Sequence, residues 1–237
     1  MHLSDIKTLV LDEADKMLNL GFKEEMNRIF LLLPKKRQNL LFSATLSDDL
    51  NNITQFLLND PLVIKIAAET NTIDLINQVA YSVEEERKGP LLRYLIKNSN
   101  WQQVLVFTSS AYKADAVADK LVKNGLDAEA IHSKKSQGAR TDALRQFKSG
   151  DIRVLVTTDL LARGIDIEFL PCVINYELPR SPKDYIHRIG RTGRAKSAGE
   201  AISLITPDDE HHFKIIQKKM GKQVNRIETK ELDFRGY

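Results

Sequence analysis

Short apolar runs rich in β-branched residues alternate with amphipathic stretches along most of this chain, and no other feature constrains its fold as strongly. The run VLVF at 104–107 passes through the polar turn TSS into AYKADAVADKLVKNG, whose apolar residues recur at helical spacing. Expected strands are KTLVLD, NLLFS and LVIKI near the start, then QVAYSV, QVLVF, AEAIH, RVLVTT, CVINY and EAISLI. Runs that are apolar on both faces belong to parallel strands covered by helices on both sides, so the expected class is α/β with parallel sheets.

The alternation lapses between Ile66 and Gln78, in AAETNTIDLIN. We therefore expect a first domain within 1–66, a linker over 67–77 and a second domain over 78–237. The first part supplies two or three strands, too few for a doubly wound sheet with its own core, and is expected to be incomplete. The second supplies six and is expected to be complete. Formal charge is +3, from 35 Lys and Arg against 32 acidic residues. Any phosphate binding must then come from local clusters. Cys172 is the single cysteine, which excludes an internal disulfide and a paired-cysteine metal knuckle. Its apolar surroundings predict a buried strand residue in a cytoplasmic protein. No run approaches the ~20 apolar residues of a membrane span, and MHLSDIKTLVLDEAD lacks the regions of a signal peptide, so no membrane partner is expected.

Polar clusters gather where the apolar runs end. LVLDEAD places Asp12, Glu13 and Asp15 after a strand, the position at which open α/β sheets bind ligands. Such carboxylates suit Mg²⁺, a hard cation that keeps its waters, or they favour the positive end of the following helix. NLLFSATL ends in Ser43 and Thr45, which suit a neighbouring contact or a helix cap. In SPKDYIHRIGRTGRA, Ser181, Pro182 and Asp184 predict a helix start. His187 and Arg191 follow one turn apart, and Gly190 and Gly193 leave backbone open beside Arg191 and Arg194. Paired arginines suit a phosphate or a solvated helix end. VLVTTDLLARGIDI offers Thr158, Gly164 and Asp166, while Ser110, His132, Gln137 and Arg140 lie near two more strand ends. Trp101 is expected to pack a domain edge, and His211 and His212 to point to different helix faces.

Taken together and in order, DEAD at 12–15, SAT at 43–45, VLVF at 104–107, QGAR at 137–140, TTDLLARGID at 157–166 and HRIGRTGR at 187–194 resemble the DEAD-box helicase family over nearly the whole chain. The resemblance implies two RecA-like domains, the first incomplete here, that close on ATP, Mg²⁺ and single-stranded or duplex RNA. It implies that Asp12 holds Mg²⁺ through water, that Glu13 orients the attacking water, and that Asp15 is tied to Ser43, Thr45 or His187. Arg191 and Arg194 resemble the fingers that meet the γ-phosphate, and Asp166 and Gly164 belong to the nucleotide site. Ser110, Gln137, Arg140, Thr158 and Gly164 resemble contacts to the RNA backbone. The implied protein is a cytoplasmic monomer.

Three departures qualify this. These 237 residues contain no GxxxxGK[ST], the loop that cradles nucleotide phosphates, so the chain is expected to be an amino-terminally truncated portion with negligible ATPase activity. After His132 the family usually carries Gly-Asp, whereas Ser133 and Lys134 stand here. The tail after Asp208, ending ELDFRGY, is expected to complete a helix and stop.

Overall fold

The structure, a computed structural model, describes residues 3–19, 22–43, 57–65, 76–159, 167, 169–193, 199–234 and 236–237. The chain divides into two units, Met1–Ala67 and Ala68–Tyr237.

In the first unit, β1 (Thr8–Leu11) leads to α1 (Ala14–Asn19), α2 (Lys23–Leu31) and β2 (Gln38–Leu41). The strands pair in parallel, Thr8 opposite Gln38 through Leu11 opposite Leu41, because the intervening helices carry the chain back across the sheet. Met26 and Phe30, one turn apart on α2, close a small core with Leu11, Ala14, Leu33 and Leu57. Sequence reasoning expected a strand at LVIKI. Residues 61–65 instead have no regular structure, and Leu62, Val63 and Ile64 are 86%, 63% and 77% exposed. β-rich composition fits a residue to a pleated surface but supplies no ladder partner, and none is found among the described residues.

The second unit is built on a seven-stranded, all-parallel sheet. Its strands are β3 (Ile76–Ser82), β4 (Val104–Phe107), β5 (Ala128–Ile131), β6 (Val154–Thr157), β7 (Cys172–Asn175), β8 (Gly199–Ile205) and β9 (Asn225–Glu228). Their spatial order is β5-β6-β4-β7-β8-β3-β9. The helices are α3 (Lys88–Lys97), α4 (Ala111–Lys123), α5 (Gln137–Ser149), α6 (Pro182–Ile189) and α7 (Glu210–Met220). Alternation within each central strand divides the core. Val104, Val106, Val154, Val156, Cys172 and Ile174 face α3 and α4, whereas Leu105, Phe107, Leu155 and Val173 face Ala143 and Phe147 of α5. Beyond them Ile76, Ala80, Ala201 and Ile205 pack against Tyr185 and Ile189 of α6 and Phe213 and Ile216 of α7. Every residue of β4, β6 and β7 is buried, which is why those runs read as continuously apolar.

Burial raises the Cys172 thiol well above its ordinary pKa, as befits the expected core strand residue. Trp101 packs against the α3–α4 side of the core. β3 begins at Ile76, two residues ahead of the expected boundary. The tail differs from expectation. After α7 it forms β9, parallel to β3 from Val79 opposite Asn225 to Ser82 opposite Glu228, then buries Phe234 against Tyr94. Three of the four residues of NRIE are polar because an edge strand keeps one side in water, so it left no apolar run to read.

Candidate functional site

The first candidate edge lies where β1 and β2 end side by side. Phe42 N–H donates to Leu11 O at 2.7 Å and Ala14 N–H to Phe42 O at 3.1 Å, which places Ser43 next to the Asp12–Glu13 turn. Glu13 adopts φ +49°, a left-handed conformation that costs a non-glycine residue about 1–2 kcal/mol. Its N–H donates to Asp12 Oδ1 at 2.8 Å, so the turn orients the Asp12 carboxylate. Asp12 is exposed, whereas Asp15, in the first turn of α1, is only 2% exposed. The three carboxylates expected at one edge are therefore divided: Asp12 is exposed, Glu13 is half-buried and Asp15 turns into the core. A single outward carboxylate with open water around it fits Mg²⁺ held through its waters. It does not fit a closed protein cage, and no group of three potential ligands occurs among the described residues. Thr45 lies outside the described residues.

In the second unit the contiguous strands β5, β6, β4 and β7 bring their carboxyl ends to one edge. Thr108 N–H donates to Thr157 O at 2.9 Å, and the Ser109 N–H and hydroxyl both donate to Glu177 Oε2, at 2.7 and 2.8 Å. Ser110 is exposed, and its Oγ accepts from Lys113 N–H at 3.2 Å, capping α4. Thr158 is half-buried beyond β6. At the start of α5, capped by Ser136, Gln137 is exposed and Arg140 half-buried. His132 is 3% exposed, with Nε2 2.9 Å from Asp115 Oδ2. Gly164 and Asp166 lie outside the described residues.

α6 starts as expected: Ser181 Oγ accepts from Asp184 N–H at 3.1 Å, and Pro182 occupies its first turn. His187 and Arg191 are both half-buried, and Arg194 lies outside the described residues. Sequence reasoning passed over Arg188, which is 2% exposed. Its Nε and Nη2 donate to Asp159 at 2.6 and 2.8 Å, and Nη1 donates to Asn175 Oδ1 at 3.0 Å and Glu177 O at 2.6 Å. The guanidinium lies 4.8 Å from the Phe107 ring centroid. Arg188 thus ties the β4, β6 and β7 strand ends to α6. Its position was legible: three residues after Tyr185 and beside Ile189, it belongs to the apolar stripe of α6.

The glycines serve packing more than ligand approach. Gly193 has φ +66°, and a Cβ there would lie 2.9 Å from Ile76 Cγ1. Gly190 has φ −66°, an ordinary helical value. Thr192 Oγ1 donates to Leu170 O, and Leu170 N–H donates to Arg191 O at 3.1 Å, which fixes the backbone on both sides of Arg191. His211 is exposed and His212 half-buried against Pro179 O at 2.7 Å, so the pair serves two faces of α7.

Comparison with known proteins bears on the whole arrangement. The family described as "DEAD/DEAH box helicase" matches residues 1–53, and "Helicase conserved C-terminal domain" matches residues 87–196. The chain is 38% identical over 233 residues to the DEAD-box ATP-dependent RNA helicase CshA of Geobacillus kaustophilus, covering 98% of this chain and 50% of that protein. It thus spans about half the length of the curated relatives it matches. The structure of S. cerevisiae Dbp5 bound to RNA and ADP BeF3 superposes with a TM-score of 0.83 at 32% identity, over 100% of this chain and 63% of that one. The E. coli DEAD-box protein SrmB, crystallised with regulator of ribonuclease activity A, gives a TM-score of 0.62 at 33% identity, over 64% of this chain and 90% of that one. With motifs in order, parallel RecA-like sheets and these likenesses, the chain belongs to the DEAD-box RNA helicase family.

Proposed function

We propose that the chain is a portion of an ATP-dependent RNA helicase that remodels short duplexes through ATP-driven closure of two domains, in the cytoplasm and as a monomer. What supports the reading most is the gathering of Ser110, Thr158 and the Gln137–Arg140 turn around the carboxyl ends of adjacent parallel strands, with Arg191 in the turn just past a helix pinned to those same ends. Hydroxyls, an amide and a guanidinium can all donate to a sugar-phosphate backbone without reading bases.

In this reading Asp12 holds Mg²⁺ through water, and bound metal supplies charge neutralisation at the phosphates. Glu13 orients the attacking water, its carboxylate carried by the turn that also orients Asp12. Arg191 and Arg194 donate to the transferring phosphoryl group, and Asp166 and Gly164 line the nucleotide site. Asp15, Ser43, Thr45 and His187 couple the carboxylate turn to closure. Gly164 also joins the RNA contacts. Closure follows because ATP and RNA both bind the closed form better.

The absence of GxxxxGK[ST] from these 237 residues favours a second reading for the chain by itself, an RNA-binding module without catalysis. Phosphate release with saturating RNA is expected to match a Glu13→Gln control, and release well above that control overturns the inactive reading. A mobility shift of single-stranded RNA with and without an ATP analogue distinguishes the two. Nucleotide-independent binding supports the module, and binding that needs the analogue supports the ATP-coupled enzyme.

A further inference from the structure

Between β5 and α5 the chain makes a turn that is clamped from both sides by one carboxylate. His132 Nε2 lies 2.9 Å from Asp115 Oδ2, and Lys135 Nζ lies 3.1 Å from Asp115 Oδ1. Lys135 N–H also donates to His132 O at 3.1 Å, closing the turn along its backbone. Asp115 belongs to α4, whose residues Ala114, Val117 and Ala118 are locked into the core, so the clamp is anchored to a rigid element. The two residues inside it, Ser133 and Lys134, are exposed.

The two lysines of the turn are not equivalent. Lys135 is neutralised by Asp115 and by Glu129 at 3.7 Å. Lys134 has no ion pair or side-chain hydrogen bond among the described residues. Its charge therefore stands uncompensated on a fixed loop that runs into the first turn of α5. HSKKSQGAR, residues 132–140, contains no acid that could cancel it. An added Cβ at Gly138 would meet nothing within 4 Å, so a bulky chain can approach the backbone there.

We infer that Lys134 is an additional contact to an RNA phosphate, held out by the Asp115-clamped turn beside Gln137 and Arg140. The inference rests on the RNA reading proposed above and adds to it a residue that stands where the family usually carries an acid. Its signature is electrostatic: one phosphate contact to a single strand contributes about 0.7 to the slope of log affinity against log salt.

The test is fluorescence anisotropy of a labelled oligouridylate titrated with the full 237-residue chain across a salt series, comparing wild type, Lys134→Ala, Lys134→Arg and Arg140→Ala. Lys134→Ala is expected to weaken binding at low salt and flatten the slope by about 0.7, whereas Lys134→Arg keeps the wild-type slope. An exposed side chain makes misfolding no explanation for either result. If Arg140→Ala weakens binding while Lys134→Ala leaves affinity and slope at wild-type values, the inference fails and the RNA reading stands. If Arg140→Ala binds like wild type, or if wild type does not bind at the lowest salt, the RNA reading itself fails and the inference with it.

Discussion

Arg188 carries a full charge at 2% exposure, and such a charge is tolerated only where each donor finds an acceptor. Asp159 supplies the counter-charge but keeps 29% of its side-chain exposure, so the pair is asymmetric. Removing the acid strands a buried guanidinium with only neutral acceptors, while removing the arginine leaves a carboxylate that water can reach. Breaking a fully buried pair costs about 3–5 kcal/mol, and partial solvation of Asp159 lowers the expectation here to about 2–4 for Asp159→Ala. Arg188→Met is expected to cost less by at least about 1 kcal/mol, with urea unfolding of both variants as the check. The reverse order would show that Asp159 is not the principal partner.

A second residue prediction concerns Asp115, where partial burial pushes the carboxyl pKa up but hydrogen bonds from His132 and Lys135 outweigh it and hold the value below normal. A carboxylate with a depressed folded pKa stabilises above its unfolded value of about 4 and loses that contribution as pH falls through the folded one. The Tm gap between wild type and Asp115→Asn is therefore expected to be present at pH 7 and to close in acid. A gap that stays constant or widens as pH falls contradicts this account.

At the scale of elements, α4 shows how one side chain can serve structure and function together. Ser110 accepts from Lys113 N–H as the α4 cap, and a hydroxyl that accepts one bond still has a proton to donate. The cap and the proposed RNA contact can be separated by substitution. Ser110→Ala is expected to cost about 1 kcal/mol of stability, and Ser110→Gly only a few tenths, because glycine tolerates the cap backbone. Both remove the donor to RNA. Thermal melts that differ alongside equal losses in RNA affinity are the expected pattern, and affinity that tracks Tm assigns Ser110 to capping alone. α6 makes a parallel point: its amino end was readable from Ser181, Pro182 and Asp184, but the buried arginine on its inner face became interpretable only when strand ends from three other segments met it.

Over the whole molecule, the two units differ in how well each covers its apolar surface. The second has three core clusters and a tail that closes one of them: Arg87 donates to Leu232 O at 2.7 Å and lies 4.8 Å from the Phe234 ring centroid, while Tyr237 meets Tyr94 edge-on at 5.2 Å. The first leaves Val10, Leu31, Leu32 and Phe42 between 54% and 78% exposed. A chain of residues 76–237 is expected to unfold cooperatively near the main urea midpoint of the full chain and to bind little of the dye ANS, whereas the full chain binds it strongly. Loss of cooperative unfolding in the shorter chain would show that the second unit depends on the first. By itself the sequence determined the α/β class, the six strands from β3 to β8 and the order of the motifs, because the buried parallel strands are largely apolar and polar residues punctuate their ends. It also determined the start of α6, since capping is a local matter. Only the tertiary structure decided that the described residues of LVIKI, 62–65, find no ladder partner among the described residues and that polar NRIE joins the sheet, because pairing depends on a partner distant in sequence. Only packing, likewise, turned Asp15 inward from Asp12 and Glu13 and made Arg188 the tie among the strand ends, since burial is a property of the neighbours a residue acquires on folding.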